Sequence, residues 1–126
     1  MVHGVFDLFH AGHLWHLKRA KEHCERLVVS LVADAFISKR GRPIVPQGER
    51  MVILLALRVV DNVLLTKDET PIHNIGLVHP NVWMRGEEYR GVPKPEDKVL
   101  SELGIPSIYL PSLPITTTSL IERIRA

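Results

Sequence analysis

The sequence predicts an α/β fold: an open parallel sheet of five strands with helices on both faces, in one domain over residues 1–126. Short apolar runs alternate with helix-patterned segments along the chain, the order that a parallel sheet requires. Leu27 to Val32 is branched and continuously apolar, as in a central strand covered on both faces. The first strand passes through a tight turn straight into a helix, a junction at which such sheets hold anions. A chain of 126 residues, 45% hydrophobic and 24% charged, suits one compact domain with a single core.

Met1 to Phe6, with Val2, Val5 and Phe6, reads as the first strand. From about Gly12 to Cys24, residues His13, Leu17, Ala20 and Cys24 recur at spacings of four, three and four, so this helix turns one stripe to the sheet with His13 at its active end. Leu27 to Val32 is the second strand, and Ala33-Asp34 ends it on the ligand-binding edge, which makes Asp34 either a turn residue or a site residue. The second helix, about Gly48 to Val60, holds seven consecutive apolar residues from Met51 to Leu57. Two turns therefore lack a solvent face, and other elements or a second subunit must cover them. Arg58 and Asp61 read as a salt-bridged helix end or as substrate contacts. Asn62 to Leu65 is a third strand, Thr70 to Val78 a short helix, and Asn81 to Met84 a fourth strand after Pro80. A helix from about Lys94 to Leu103, a strand from Pro106 to Leu110 and a helix from Thr117 to Arg125 complete the chain.

The chemistry gathers at the first turn, Gly4-Val-Phe-Asp-Leu-Phe-His-Ala-Gly-His13. Gly12 lets backbone approach a bulky anion, and the helix behind it offers unpaired N–H groups and the positive end of its dipole. His10 and His13 can donate to phosphate oxygens and, once protonated, add charge. Lys39, Arg40 and Arg42 concentrate positive charge on a later loop, although the net charge of +2 is too small to argue for nucleic acid. Arg85-Gly-Glu-Glu-Tyr89 follows the fourth strand, where Gly86 permits close backbone approach and Tyr89 could stack on a base. Thr116, Thr117, Thr118 and Ser119 open the last helix, and four hydroxyls exceed what one cap needs, so phosphate binding is expected there.

Taken together, G-x-F-D-x-x-H-x-G-H, Lys39-Arg-Gly-Arg-Pro-Ile-Val-Pro-Gln-Gly-Glu-Arg50-Met, Arg85-Gly-Glu-Glu-Tyr89 and Thr116-Thr-Thr-Ser-Leu-Ile-Glu-Arg-Ile124 resemble, in order and over nearly the whole chain, the signature of the cytidylyltransferase-like nucleotidyltransferases. The resemblance implies a Rossmann-like sheet and a homodimer with the second helix in its interface. It implies transfer of a nucleoside monophosphate from a triphosphate to a phosphorylated small molecule, with release of pyrophosphate. His10, His13 and one cation, Lys39 with Arg40 and Arg42 as rivals, would be catalytic. Gly4, Val5, Phe6, Asp7, Gly12, Arg85, Gly86, Glu88 and the residues Thr116 to Ser119 would bind nucleotide and phosphate. Asp34, Arg58, Asp61 and Tyr89 would be substrate contacts or structural. Mg²⁺ would bridge the phosphates.

The chain departs from its relatives at Arg85, where a lysine is usual, and at Glu88, where an aspartate is expected. Leu110-Pro-Ser-Leu-Pro114 lies where cytidylyltransferases carry an arginine, and is one residue shorter. That counts against CTP, and the Arg-Pro-Ile-Val-Pro and Gly-x-x-Tyr segments resemble the ADP-heptose branch, which favours ATP with a sugar 1-phosphate. CTP with glycerol 3-phosphate or a similar alcohol phosphate is the alternative, and a non-catalytic nucleotide-binding dimeric module is the alternative of another class. No covalent-nucleophile arrangement and neither G-x-x-x-x-G-K-[ST] nor G-x-G-x-x-G occurs, so direct displacement is expected. His3, His10, His13, His16 and His23 crowd the first two elements, but no cysteine pair joins them and a zinc site is not expected. His16 and His23 read as exposed helix residues. The lone Cys24, the lack of an apolar run approaching ~18 residues and the lack of a leader pattern point to the cytoplasm, without membrane or nucleic-acid partners.

Overall fold

The computed structural model describes residues 1–113 and 116–125. Pro114, the end of the stretch compared with the cytidylyltransferase arginine, lies outside them, as do Ile115 and Ala126. Strands and helices alternate as β1 (Val2–Gly4), α1 (Ala11–Lys21), β2 (Val28–Leu31), α2 (Gln47–Leu55), β3 (Asn62–Leu65), α3 (Ile72–Val78), β4 (Trp83–Gly86), α4 (Asp97–Glu102), β5 (Ser107–Leu110) and α5 (Thr117–Arg125).

All pairing is parallel, but the expected single five-stranded sheet is replaced by two ladders, β1-β2-β3 and β4-β5. β1 and β4 lie side by side across the seam. Met84 N–H donates to Met1 O at 2.9 Å, and the Met1 ammonium donates to Val82 O at 2.9 Å. The cause is local. β1 ends at Gly4, and Phe6 and Leu8 then take left-handed φ values of 50° and 45°, so the strand turns away before evenly spaced bonds to β4 can accumulate. Strand order thus reverses at β1 and β4, the place where open parallel sheets leave a crevice beyond their C-terminal ends.

Instead of one core there are two, one on each sheet face, because strand side chains alternate. Val2, Val29, Leu31 and Met84 pack with Leu17 and Ala20 of α1 and Leu54 of α2. Met1, Val28 and Trp83 pack on the other face with Ile75 of α3 and Leu100 of α4. The stripe read from α1 holds, since Leu17 and Ala20 are fully buried and Cys24 packs against them. Truncating Leu17 to alanine would cost about 2–5 kcal/mol in transfer and cavity terms.

Helix α2 is shorter than its pattern suggested. It stops at Leu55, and the turn after it delivers Leu57, Val59 and Val60 to the first core. Met51 and Leu54 also pack inward, whereas Val52 is 68% exposed and Ile53 and Leu55 are exposed beside it. Among the described residues no helix is long and apolar enough to cross a membrane.

Candidate functional site

The crevice at the strand reversal is a cleft of about 350 Å³, bounded by the turn after β1, the start of α1, the end of β4 and the start of α5. His10 caps α1, and its Nδ1 accepts from Gly12 N–H at 3.0 Å; His10 N–H donates to His13 Nδ1 at 3.3 Å. With both Nδ1 atoms accepting, this network assigns the proton to Nε2 in both neutral rings. The rings stack at 3.8 Å between centroids, with Phe6 and Phe9 flanking His13. Nε2 of His10 is buried and finds no partner among the described residues. Burial pushes the His13 pKa down to about 4, helped by repulsion from His10 and His16 and opposed by Asp7; burial also lowers His10. Both are therefore neutral donors near pH 7 in the free protein.

The turn is held from beneath. Asp7, 1% exposed, accepts from Leu8, Ile44 and Val45 N–H at 3.1, 3.0 and 2.9 Å and pairs with Arg42 Nε at 3.1 Å. Its carboxylate is spent on the basic loop. Gly4 is required because the Phe6 ring folds back over it, so that a Cβ there would meet the ring at 2.9 Å. Arg50, 1% exposed, donates to the Val5, Val32 and Val45 carbonyls and pairs with Asp34 at 2.6 Å. Asp34 also accepts from Gln47 N–H, which joins the end of β2 to the start of α2.

The basic loop reaches the cleft through two of its three cations. Arg42 lines it, and Lys39 Nζ donates to Thr118 Oγ1 at 2.8 Å, while Arg40 is exposed and lies outside the cleft lining. The four hydroxyls of α5 divide their work. Thr116 and Ser119 cap the helix reciprocally, Thr117 donates to the Asp7 carbonyl at 2.5 Å, and Thr118 receives Lys39. Thr116, Thr117 and Thr118 line the cleft with Gly4, Val5, Phe6 and Gly12. Asp7, Lys39, Arg40 and Ser119 of the expected set do not, nor do Asp34, Arg58 and Asp61; Lys39 meets the cleft only through Thr118.

At the other end, Glu88 accepts from Ser112 Oγ at 2.6 Å, and its carboxylate folds back over Gly86, where an added Cβ would push it aside. Arg85 donates from Nη2 to Asp97 at 3.0 Å and to Ser107 at 3.3 Å, leaving Nε and Nη1 without acceptors among the described residues. Tyr89 lines the cleft under Lys94, 4.6 Å from its ring.

Two expectations are corrected, and one residue is added. Asp61 is not paired with Arg58; it accepts from Lys21 at 2.7 Å and from Leu27 N–H, at the start of β2 and β3 and away from the cleft, because α2 ends before Arg58 can align with it. His16 is not an exposed helix residue, since it lies one turn beyond His13 and lines the cleft, where burial lowers its pKa against the pull of Glu88. His3, unassigned from sequence, also lines the cleft and has its pKa lowered to about 4, chiefly by burial, while its Nδ1 lies 3.0 Å from Ser30 Oγ. A helical spacing of three from His13 was the available signal for His16; His3 offered none. Among the described residues no group of three or more His, Cys, Asp or Glu side chains could hold a metal.

Curated relatives include the bifunctional protein HldE of Streptomyces coelicolor, 37% identical over 95% of this chain, and that of Halorhodospira halophila, 38% identical over 100% of it. In both, the match covers 27% of the relative, so the chain spans about a quarter of their length. A solved lipopolysaccharide core biosynthesis protein from Thermoplasma volcanium superposes with a TM-score of 0.72 at 26% identity, covering 92% of this chain and 96% of that one. The cytidylyltransferase-like family model matches residues 1–123, and with that match the chain belongs to the cytidylyltransferase-like family.

Proposed function

We propose that this domain transfers a nucleoside monophosphate, AMP in preference to CMP, from a triphosphate to a phosphorylated sugar, releasing pyrophosphate. The observation that carries the reading is the stacked His10 and His13 pair, whose Nδ1 atoms are occupied by backbone donors and whose Nε2–H groups are left for phosphate. A phosphate oxygen of the acceptor attacks the α-phosphorus in line, a new P–O bond forms, and the bond to the β-phosphate oxygen breaks. His10 and His13 donate to the α- and β-phosphate oxygens as charge spreads onto them, and Lys39 and Arg42 neutralise it from the loop. Thr118 and the free N–H groups of α5 receive the departing pyrophosphate end. Glu88, an acceptor in the cleft lining, suits the exocyclic amine that adenine and cytosine both carry, so the preference for AMP rests on the likeness to the HldE relatives. Mg²⁺ would enter with the triphosphate and supply charge neutralisation, because among the described residues the cleft lining offers Glu88 as its one carboxylate and no metal-binding group.

The exposed apolar residues Val52, Ile53 and Leu55 of α2, with Ile124 sharing a shallow cavity with Ile53, support a homodimer through this face. Val52→Asp should shift the sedimentation coefficient from dimer to monomer; an unchanged dimer would remove this face from the interface. Cys24 as a free thiol agrees with work in the cytoplasm, where the triphosphate is supplied.

The reaction is tested by pyrophosphate release with Mg²⁺, offering ATP and CTP separately against heptose 1-phosphate, mannose 1-phosphate, glycerol 3-phosphate and phosphocholine. Turnover confined to ATP with a sugar 1-phosphate is expected. CTP turnover with glycerol 3-phosphate would replace the substrate assignment, and triphosphate binding without turnover on any acceptor would make the domain a nucleotide-binding module.

A further inference from the structure

A second cavity, of about 460 Å³, opens beside the first, and the two share a wall made by His3, Gly4, Val5, Arg85 and Tyr89. Its far side is formed by the loop before α3, with Glu69 and Thr70, and by the loop before α4, with Lys94 and Glu96. Its lining has unmet hydrogen-bonding capacity. Trp83 Nε1 and Arg85 Nε and Nη1 are buried donors with no acceptor among the described residues, and both residues line this space. Buried donors are rarely left so in a folded protein unless something else completes them. Glu96, only 6% exposed, adds a carboxylate acceptor to the same lining.

The Arg85 guanidinium stands on the shared wall in a fixed pose. Asp97 accepts from Arg85 Nη2 at 3.0 Å and from Lys94 N–H at 2.8 Å, so one carboxylate fastens the loop before α4 to β4 while leaving the rest of the guanidinium unpaired. The Lys94 hydrogen bond and that of Arg85 hold the Asp97 pKa below the usual carboxylate range, so this strap persists at neutral pH.

We propose that the second cavity is the acceptor subsite, in which Glu96 and the Trp83 N–H read the hydroxyls of a phosphorylated sugar while Arg85 holds its phosphate at the wall shared with the nucleotide cleft. The destination of that phosphate rests on the transfer reaction proposed above. Sugar hydroxyls both donate and accept, which matches a lining that mixes carboxylates with unpaired N–H groups. The two carboxylates, Glu69 and Glu96, lie on the far side, so an acceptor phosphate is steered to Arg85.

Calorimetric titration with mannose 1-phosphate, heptose 1-phosphate and inorganic phosphate, each with and without a non-hydrolysable ATP analogue, tests this directly. The sugar phosphates should bind more tightly than inorganic phosphate. Glu96→Gln should weaken them about tenfold, the loss of one charge-assisted hydrogen bond, while the affinity for the ATP analogue changes less than about twofold. Absence of sugar phosphate binding to the unaltered protein, or an equal loss of nucleotide affinity in Glu96→Gln, would overturn the subsite. Sugar phosphate binding that Glu96→Gln weakens, without pyrophosphate release from any pair, would leave the subsite standing and defeat the transfer reaction. If Glu96→Gln does not fold, Trp83→Phe, which removes the unpaired indole N–H from the same lining, carries the same comparison.

Discussion

The turns after β1 and β4 both end a strand at the same cleft, yet they are built in opposite ways. After β1 nearly every polar group has a protein partner: Asp7 takes three backbone N–H groups and Arg42, both histidine Nδ1 atoms are occupied, and Arg50 ties three carbonyls together. Left over are His10 Nε2 and Arg42 Nε, the latter facing Asp7 as an ion pair without a hydrogen bond. After β4 the pattern is reversed, with two nitrogens of Arg85 unpaired and Glu88 held by Ser112. A saturated network has one geometry, as stabilisation of a charge that develops during reaction demands. An unsaturated one leaves its donors and acceptors to be completed by whichever ligand fits, as selection among substrates demands.

The largest effect should come from breaking the saturated side. Asp7→Ala strands three part-buried backbone N–H groups and the Arg42 charge, and about 3–5 kcal/mol of stability should be lost in denaturant unfolding. A loss under about 1 kcal/mol would mean that the loop finds other partners. Next, His13→Ala should lower kcat about 10²-fold or more, in the range for removing one preorganised donor, while far-UV circular dichroism stays native. Near-normal turnover would take His13 out of the chemistry.

Acid should also act on the saturated side first. His13 and His3 have folded pKa values of about 4, below the unfolded value near 6.5. The unfolded state therefore binds more protons between these limits, so their contribution to stability is intact above pH ~6.5 and declines as pH falls toward ~4. Urea midpoints at several pH values should show that decline, and His13→Gln should flatten it. Triphosphate binding near pH 6 should take up protons, because phosphate charge favours the imidazolium; calorimetry in buffers of different ionisation enthalpy reads the uptake directly. The smallest effect is expected on the unsaturated side. Gly86→Ala pushes against the far end of the flexible Glu88 side chain, so stability should change by less than about 1 kcal/mol while the KM for nucleotide rises. A kcat defect with KM unchanged would show that this turn, too, serves the chemical step.

Much of the site was legible because its signals are local. His10 and Gly12 share a helix cap, His13 is three residues on, and the cap formed by Thr116 and Ser119 spans one turn. Gly86 was legible as a close approach, although what approaches is Glu88 of the same turn. What escaped the sequence depends on distant partners. Asp7 reads as a ligand until Ile44 and Val45 are seen to occupy it across 37 and 38 residues. Arg50, inside an apolar helix pattern, gave no sign that it would be buried among three carbonyls from separate segments.

By itself the sequence determined the alternation of strands and helices, the stripe on α1, the histidine pair and the hydroxyl cap, because each depends on backbone preference and on spacings within a few residues. Tertiary structure alone decided the split of the sheet at β1 and β4, the two cores, the cleft position of His16 and the cavity beside Arg85. Each of these arises where segments far apart in the chain compete for one space, and which polar atoms end up paired is known only once that competition is settled.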